Sequence, residues 1–372
     1  MSKKHKKKKK NLTKAQAQKR RRAAMTCLRA FFVILLAGGV IGGIAYVNKS
    51  IEIPLTVNAE NYYQITEETE ATEILDETEP VSASVDLSKY NIPQPELQST
   101  YPIDMVIRSE YAIVYDVQAD EVLFAKNADQ KCYPASTTKI LTAAVILDNA
   151  PADYQFTAGE ELDFVNPESS LAHVSKGNIL DLPTTIDALM LPSGNDASYM
   201  AAANVGRLIA GNDTISPQAA VQTFVDEMNK TAMLIGAENT HFSDPDGFHD
   251  DNHYTTVLDM LKITLYAMKK PELMESAGKA NTYATFVSGE QISWENSNKL
   301  LHEYSDCYYM YANGMKTGMT DQAGYCVVAT AKRFDHDVIC LVFGAKASDI
   351  RWNDTIALLD AAFVQIRNRE GI

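Results

Sequence analysis

Two hydrophobic periods divide the chain downstream of Ile107. The runs SEYAIVYDV and EVLFAKN are apolar over strand lengths, and Gln118-Ala119-Asp120 between them reads as a hairpin turn. Apolar positions then shift to helical spacing. After Pro134 the stretch ASTTKILTAAVIL predicts a helix. TTIDALML, ASYMAAANVGRLIA, SPQAAVQTFVDEMNKTAMLIG and TVLDMLKITLYAMKK predict four more, the last ended by Pro271. Strand character returns after Thr282 in YATFVSG, GYCVVATAKR and DVICLVFGAKA, with Phe334-Asp335-His336 turning the last pair. Ile356, Leu359, Ala362, Phe363 and Ile366 recur at helical spacing in a closing helix over about Asp349–Arg367. Strands at both ends with helices between them predict an α+β domain. One antiparallel sheet is built from both ends of it, with flanking helices and an inserted, mostly helical region.

Upstream the pattern changes. Ala30–Val47 is 18 residues without a charge. As a helix it would span about 27 Å, close to the hydrocarbon core of a bilayer. Residues 1–29 hold 13 Lys or Arg and no acid, leaving 21 bases against 48 acids in the remainder. That step predicts a basic cytoplasmic tail over 1–29, a transmembrane signal-anchor over 30–47, and everything beyond it outside the cytoplasmic membrane. A Lys-rich tract beside an apolar span is read as a lipid flank, with no nucleic-acid partner. Gly43-Ile44-Ala45 resembles a small-x-small cleavage site, so a cleaved signal peptide and a secreted product form the second reading. Residues 48–106 read as an acidic Thr/Glu/Pro-rich stalk: 60–96 contain ten acids and one Lys, too polar to bury a core. The folded domain is expected over 107–372.

Composition adds little to this. At 46% hydrophobic and 22% charged, the chain can form an ordinary core without cross-links. Its five cysteines show no CxxC and no metal-ligand spacing, and Cys326 and Cys340 lie in apolar strands, where a small buried thiol is expected. His241, His249 and His253 with Asp244, Asp246, Asp250 and Asp251 match neither a zinc helix nor an EF-hand loop, so no metal and no cofactor is expected.

Chemistry enters with Ser136-Thr137-Thr138-Lys139. A Ser at the start of a helix and a Lys three residues on share one face. Together they offer a hydroxyl nucleophile, an amine to take its proton, and a helix N-terminus that favours developing negative charge. Ser and Thr are also common helix caps, and Ser276-Ala277-Gly278-Lys279 repeats the motif with no apolar helix after it. Partners are therefore needed. Ser193-Gly194-Asn195 falls in a loop between two predicted helices, where a hydroxyl and an amide can face a cleft or simply make a turn. Lys316-Thr317-Gly318 falls just before a predicted strand. There an ammonium and a hydroxyl can hold a carboxylate, Gly318 lets backbone come close, and the bland alternative is a surface strand edge.

The ordered set Ser-x-x-Lys, Ser-x-Asn, Lys-Thr-Gly is the signature of penicillin-binding proteins and class A β-lactamases. With its connecting text (NADQKCYPASTTK, LMLPSGNDA, NTHFSDPDGFHDDNHYTT, ENSNKLL, GMKTGMTDQAGYCVVATAKR), the chain resembles the low-molecular-mass, serine-type D-alanyl-D-alanine carboxypeptidases over about Ser109–Phe363. The resemblance implies the serine β-lactamase/DD-peptidase-like fold, no cofactor, inhibition by β-lactams, and a peptidoglycan stem peptide ending in D-Ala-D-Ala as substrate. It assigns Ser136 as nucleophile, Lys139 as general base with its pKa lowered by burial and nearby cations, and Ser193 as proton relay to the leaving amine. It assigns Asn195 to the peptide chain, Lys316, Thr317 and Gly318 to the terminal carboxylate, and the backbone N–H groups of Ser136 and Met319 to an oxyanion hole. A β-lactamase is disfavoured because no Glu after Ser193 has an Asn four residues on. A non-catalytic, penicillin-sensing or wall-binding domain is the remaining alternative. The family's C-terminal β-rich domain and amphipathic anchor have no counterpart in the chain as it stands, so the N-terminal span is expected to replace them.

Overall fold

The computed structural model describes residues 87–100 and 102–371. The expected tail, signal-anchor and most of the stalk lie outside the described residues. Order is already present at Leu87, not only from Ile107 as expected. Tyr90 and Ile92 are buried in the main core, and Gln94 Nε2 donates to the Ile235 carbonyl at 3.2 Å. Two apolar side chains, at Tyr90 and Ile92, outweigh the polar text around them.

Five strands form one antiparallel sheet: β1 (Tyr111–Asp116), β2 (Glu121–Lys126), β7 (Ala312–Thr320), β8 (Gly324–Arg333) and β9 (His336–Ala345), in the order β2-β1-β9-β8-β7. Both ends of the domain contribute, as the periodicity predicts. β9 lies between β1 and β8, with Tyr111 opposite Phe343 and Val328 opposite Leu341. Ile339, Leu341 and Phe343 enter the larger core, while Val338, Cys340 and Val342 enter the smaller one. Burial on both faces explains why β9 reads as an unbroken apolar run rather than an alternating one. Asp120, Phe334 and Asp335 take positive φ, as tight hairpin turns between right-twisted strands require.

The closing helix, Ser348–Glu370, covers one face with Trp352, Leu358, Leu359, Ala362, Phe363 and Ile366. Helices α1 (Lys139–Asn149), α2 (Leu182–Met190), α3 (Asn195–Ala210), α4 (Pro217–Leu234), α5 (Val257–Met268) and α6 (Pro271–Gly278) cover the other; the closing helix is α7. Pro271 does end the preceding helical run, but it also opens α6, where its missing N–H costs nothing. Every residue of α1 from Lys139 to Ile146 is buried, because α3, α4 and α5 surround it. Two minor hairpins, β3 (Gln155–Thr157) with β4 (Ile179–Asp181) and β5 (Asn281–Thr285) with β6 (Gln291–Glu295), complete the fold. No helix among the described residues is long and apolar enough to cross a membrane.

Candidate active site

Ser136 sits in a single 3-10 turn, Ala135–Thr138, that runs directly into α1. Ala135 adopts a left-handed backbone, φ +49°, so the chain enters the helix by a sharp bend that leaves Ser136 half-buried and facing a cleft. Glycines supply the room. A Cβ on Gly247, itself at φ +82°, would lie 1.9 Å from the Ala135 carbonyl oxygen. A Cβ on Gly318 would lie 3.0 Å from Ser136 N, so β7 can run against the turn only with glycine there.

Lys139 is fully buried. Its Nζ lies 3.1 Å from Ser136 Oγ, 2.7 Å from Asn195 Oδ1 and 2.7 Å from the Asp246 carbonyl oxygen. As a neutral amine it has two N–H groups, which suit the two short contacts, and a lone pair for the Ser136 hydroxyl proton. Burial pulls the amine down to about 8, while Asp246, Asp244 and Asp196 pull the other way. The expected depression is there, and desolvation is its largest cause, working against three carboxyl groups.

Asn195 opens α3, one residue after Gly194, and Ser193 takes φ +64° in the loop between α2 and α3, as read from the sequence. Asn195 Oδ1 is spent on Lys139, which leaves its NH2 to meet a peptide. Asp196 fastens the facing loop by accepting from Ala172 N and Val174 N, both at 2.8 Å. That loop brings Ser169 and Ser170 to the rim of the cleft.

Lys316, Thr317 and Gly318 lie inside β7, not ahead of a strand as the sequence suggested. Polar side chains and two glycines hide the strand, which is tolerable because β7 is the sheet's edge. Lys316 is fully buried, and burial, then Lys139 and Arg351, push its ammonium well below its usual range. Thr317 Oγ1 lies 2.6 Å from Ser297 Oγ. Beneath the strand, buried Arg351 donates to the carbonyl oxygens of Cys326 at 3.1 Å and Gly318 at 3.5 Å, and burial brings its guanidinium down to about 10. Met319, half-exposed, forms one wall of a cleft of about 470 Å³ lined also by Ser136, Asn195, Phe248 and His249.

The fold therefore brings Ser136, Lys139 and Asn195 into contact, with Gly318 close against Ser136 and Met319 across the cleft. Sequence reading missed Ser297, Arg351 and the Asp246 carbonyl; only ENSNKLL gave any sign of the first. The second Ser-x-x-Lys does not join them: Lys279 is paired with Asp187 at 2.9 Å.

A family model described as D-alanyl-D-alanine carboxypeptidase matches residues 98–347. The chain is 27% identical over 265 residues to the D-alanyl-D-alanine carboxypeptidase DacF of Bacillus subtilis, covering 70% of this chain and 64% of that protein. It is 33% identical over 250 residues to a D-alanyl-D-alanine carboxypeptidase of Streptomyces sp. (strain K15), covering 65% and 82%. The crystal structure of the Streptomyces K15 DD-transpeptidase superposes with a TM-score of 0.64 at 30% identity, over 70% of this chain and 99% of that one. A match over well more than half of the chain settles the family: the chain belongs to the D-alanyl-D-alanine carboxypeptidases, which are serine peptidases.

Proposed function

We propose that the protein removes the terminal D-alanine from peptidoglycan stem peptides through an acyl-enzyme on Ser136. The observation that carries this is the contact of 3.1 Å between Lys139 Nζ and Ser136 Oγ, with the amine buried and its pKa brought down to about 8. Lys139 takes the hydroxyl proton as Oγ bonds to the carbonyl carbon between the last two residues. The N–H groups of Ser136 and Met319 hold the oxyanion. The C–N bond then breaks, and a proton delivered through Ser193 leaves with D-alanine. Water repeats the sequence on the ester and frees Ser136. A carboxylate beside Lys316 and Thr317 would restore the ammonium's charge and fix the substrate's end.

A second acceptor is worth testing, because the similar solved structure is that of a DD-transpeptidase. An amine in place of water would give a cross-linked product from the same ester. Incubating the protein with a diacetylated L-Lys-D-Ala-D-Ala peptide, with and without an amine acceptor, is expected to release D-alanine one for one with hydrolysed peptide. Dominant cross-linked product would reassign the acceptor; no release at all would remove the activity.

The same reading puts the domain outside the cytoplasmic membrane on an anchor over Ala30–Val47. The charge step across that segment supports it. Protease added to intact cells lacking an outer membrane should shed the domain, whereas a mature protein beginning at Tyr46 would show a cleaved signal peptide.

A further inference from the structure

The cleft rests on a second, entirely buried polar system behind Ser136. His253 is 2% exposed, and its Nε2 lies 2.8 Å from Thr138 Oγ1. Thr138 Oγ1 also donates to the Ala135 carbonyl oxygen at 2.8 Å. A threonine hydroxyl has one proton, and the carbonyl can only accept it, so Nε2 must carry a hydrogen and donate. On the other side of the ring, Nδ1 lies 3.0 Å from Asp244 Oδ2, closer than the Ser243 N–H at 3.3 Å. Ser243 Oγ also lies 3.3 Å from Nδ1. The ring thus joins Thr138 to the Asp244 carboxylate.

Asp244 has a second duty. Its Oδ1 accepts from Gly247 N at 2.6 Å and Asp246 N at 3.1 Å, fixing the turn whose Asp246 carbonyl receives Lys139 Nζ. Burial works against the Asp244 carboxylate, but His253 and these N–H groups hold it well below the usual carboxylate range. The pair grips both halves of the nucleophile: the bend at Ala135 through Thr138, and the cradle of Lys139 through Asp246.

We propose that His253 and Asp244 form a buried ion pair that positions Ser136 and Lys139, and that this pair sets the field in which Lys139 exchanges its proton. The proposal rests on Lys139 being the general base. The charged groups that act on Lys139 are Asp196 on α3, Asp244 and Asp246 on the loop between α4 and α5, and Lys316 on β7; behind them stand His253 against Asp244, Tyr199 on α3 facing the same two aspartates, and Arg351 on α7 beside Lys316. Within that set the ion pair is nearly neutral as a unit, so removing either half leaves an uncompensated charge of known sign. His253→Gln keeps a donor for Thr138 and leaves Asp244 as an anion, which favours protonated Lys139. Asp244→Asn keeps the shape and leaves a cation, which favours the neutral amine.

The test is the pH dependence of the second-order rate of acylation by a fluorescent penicillin, measured on the full chain. The rising limb should move to higher pH in His253→Gln and to lower pH in Asp244→Asn, each by about half a pH unit or more. Both variants should be acylated more slowly than the parent, and His253→Leu, with no donor for Thr138, more slowly than His253→Gln by about 10-fold. If both limbs stay at the parent midpoint, the pair is structural only and the proposal fails, whatever the rates. The Gln and Asn comparison decides this even if the Leu variant does not fold. A parent chain that takes up no penicillin would instead overturn the acyl-enzyme reading, and this proposal with it.

Discussion

Ser136–Lys139 and Ser276–Lys279 spell the same motif and share nothing else. In the first, the lysine is wholly buried, points back at its serine, and has only neutral acceptors in contact. In the second, Lys279 is one-third exposed and its ammonium meets the Asp187 carboxylate at 2.9 and 3.0 Å, while Ser276 is buried at the end of α6 with no partner for its hydroxyl. An amine becomes a base when it is dry and its contacts are uncharged; a carboxylate in contact keeps the proton on. Spacing only makes the meeting possible. The neighbouring chain decides: an apolar helix carries Lys139 into the core, whereas Lys279 ends a short helix at the surface.

The largest effect that separates the two is covalent. Ser136→Ala should abolish penicillin labelling, with the parent adduct mapped by mass spectrometry to the peptide containing Ser136; an adduct that persists would break the comparison at once. Lys139→Ala should slow acylation by about 10²–10⁴-fold, the usual worth of a positioned general base. Because the base must be unprotonated and its pKa lies at about 8, parent acylation should climb as pH rises toward that value and level off above it. A rate flat from about pH 6 to 9 would deny Lys139 the role.

A smaller effect belongs to the substrate's end. Charged hydrogen bonds are worth about 1.5–3 kcal/mol, so amidating the terminal D-Ala should lower kcat/KM by about 10–100-fold. Lys316→Ala should slow the free-acid peptide and narrow that gap. Equal cleavage of acid and amide would take the carboxylate role away from Lys316 and Thr317.

The smallest effect is expected at the second motif. Ser276→Ala and Lys279→Ala should leave acylation unchanged, and loss of the partly exposed Lys279–Asp187 pair should cost no more than about 1 kcal/mol in denaturant unfolding. A tenfold loss of acylation in either would show that the two regions are coupled.

Much of this arrangement could be read before any coordinates. The turn into α1, the loop at Ser193, and β8 over Gly324–Arg333 all come from local spacing and punctuation, which act over a few residues. What could not be read is non-local. β7 carries Asn, Lys, Thr and Gly and is a strand only because β8 pairs with it. Burial of Lys139 depends on α3, α4 and α5, so desolvation could be guessed but its dominance over three acidic neighbours could not. Ser297, Arg351 and the Asp246 carbonyl meet Thr317, Gly318 and Lys139 from distant text, and a backbone oxygen leaves no letter in a sequence.

The place of β9 has a consequence for biogenesis. The sheet cannot close until the strand beginning at His336 docks against β1, which the ribosome made more than two hundred residues earlier. Such distant pairing forms slowly and late. Gly318 on β7 meets Ser136 only within that sheet, so a chain still being synthesised holds Ser136 without the strand that faces it. The enzyme would become competent only after its last helix has emerged, a timing built into the order of its strands.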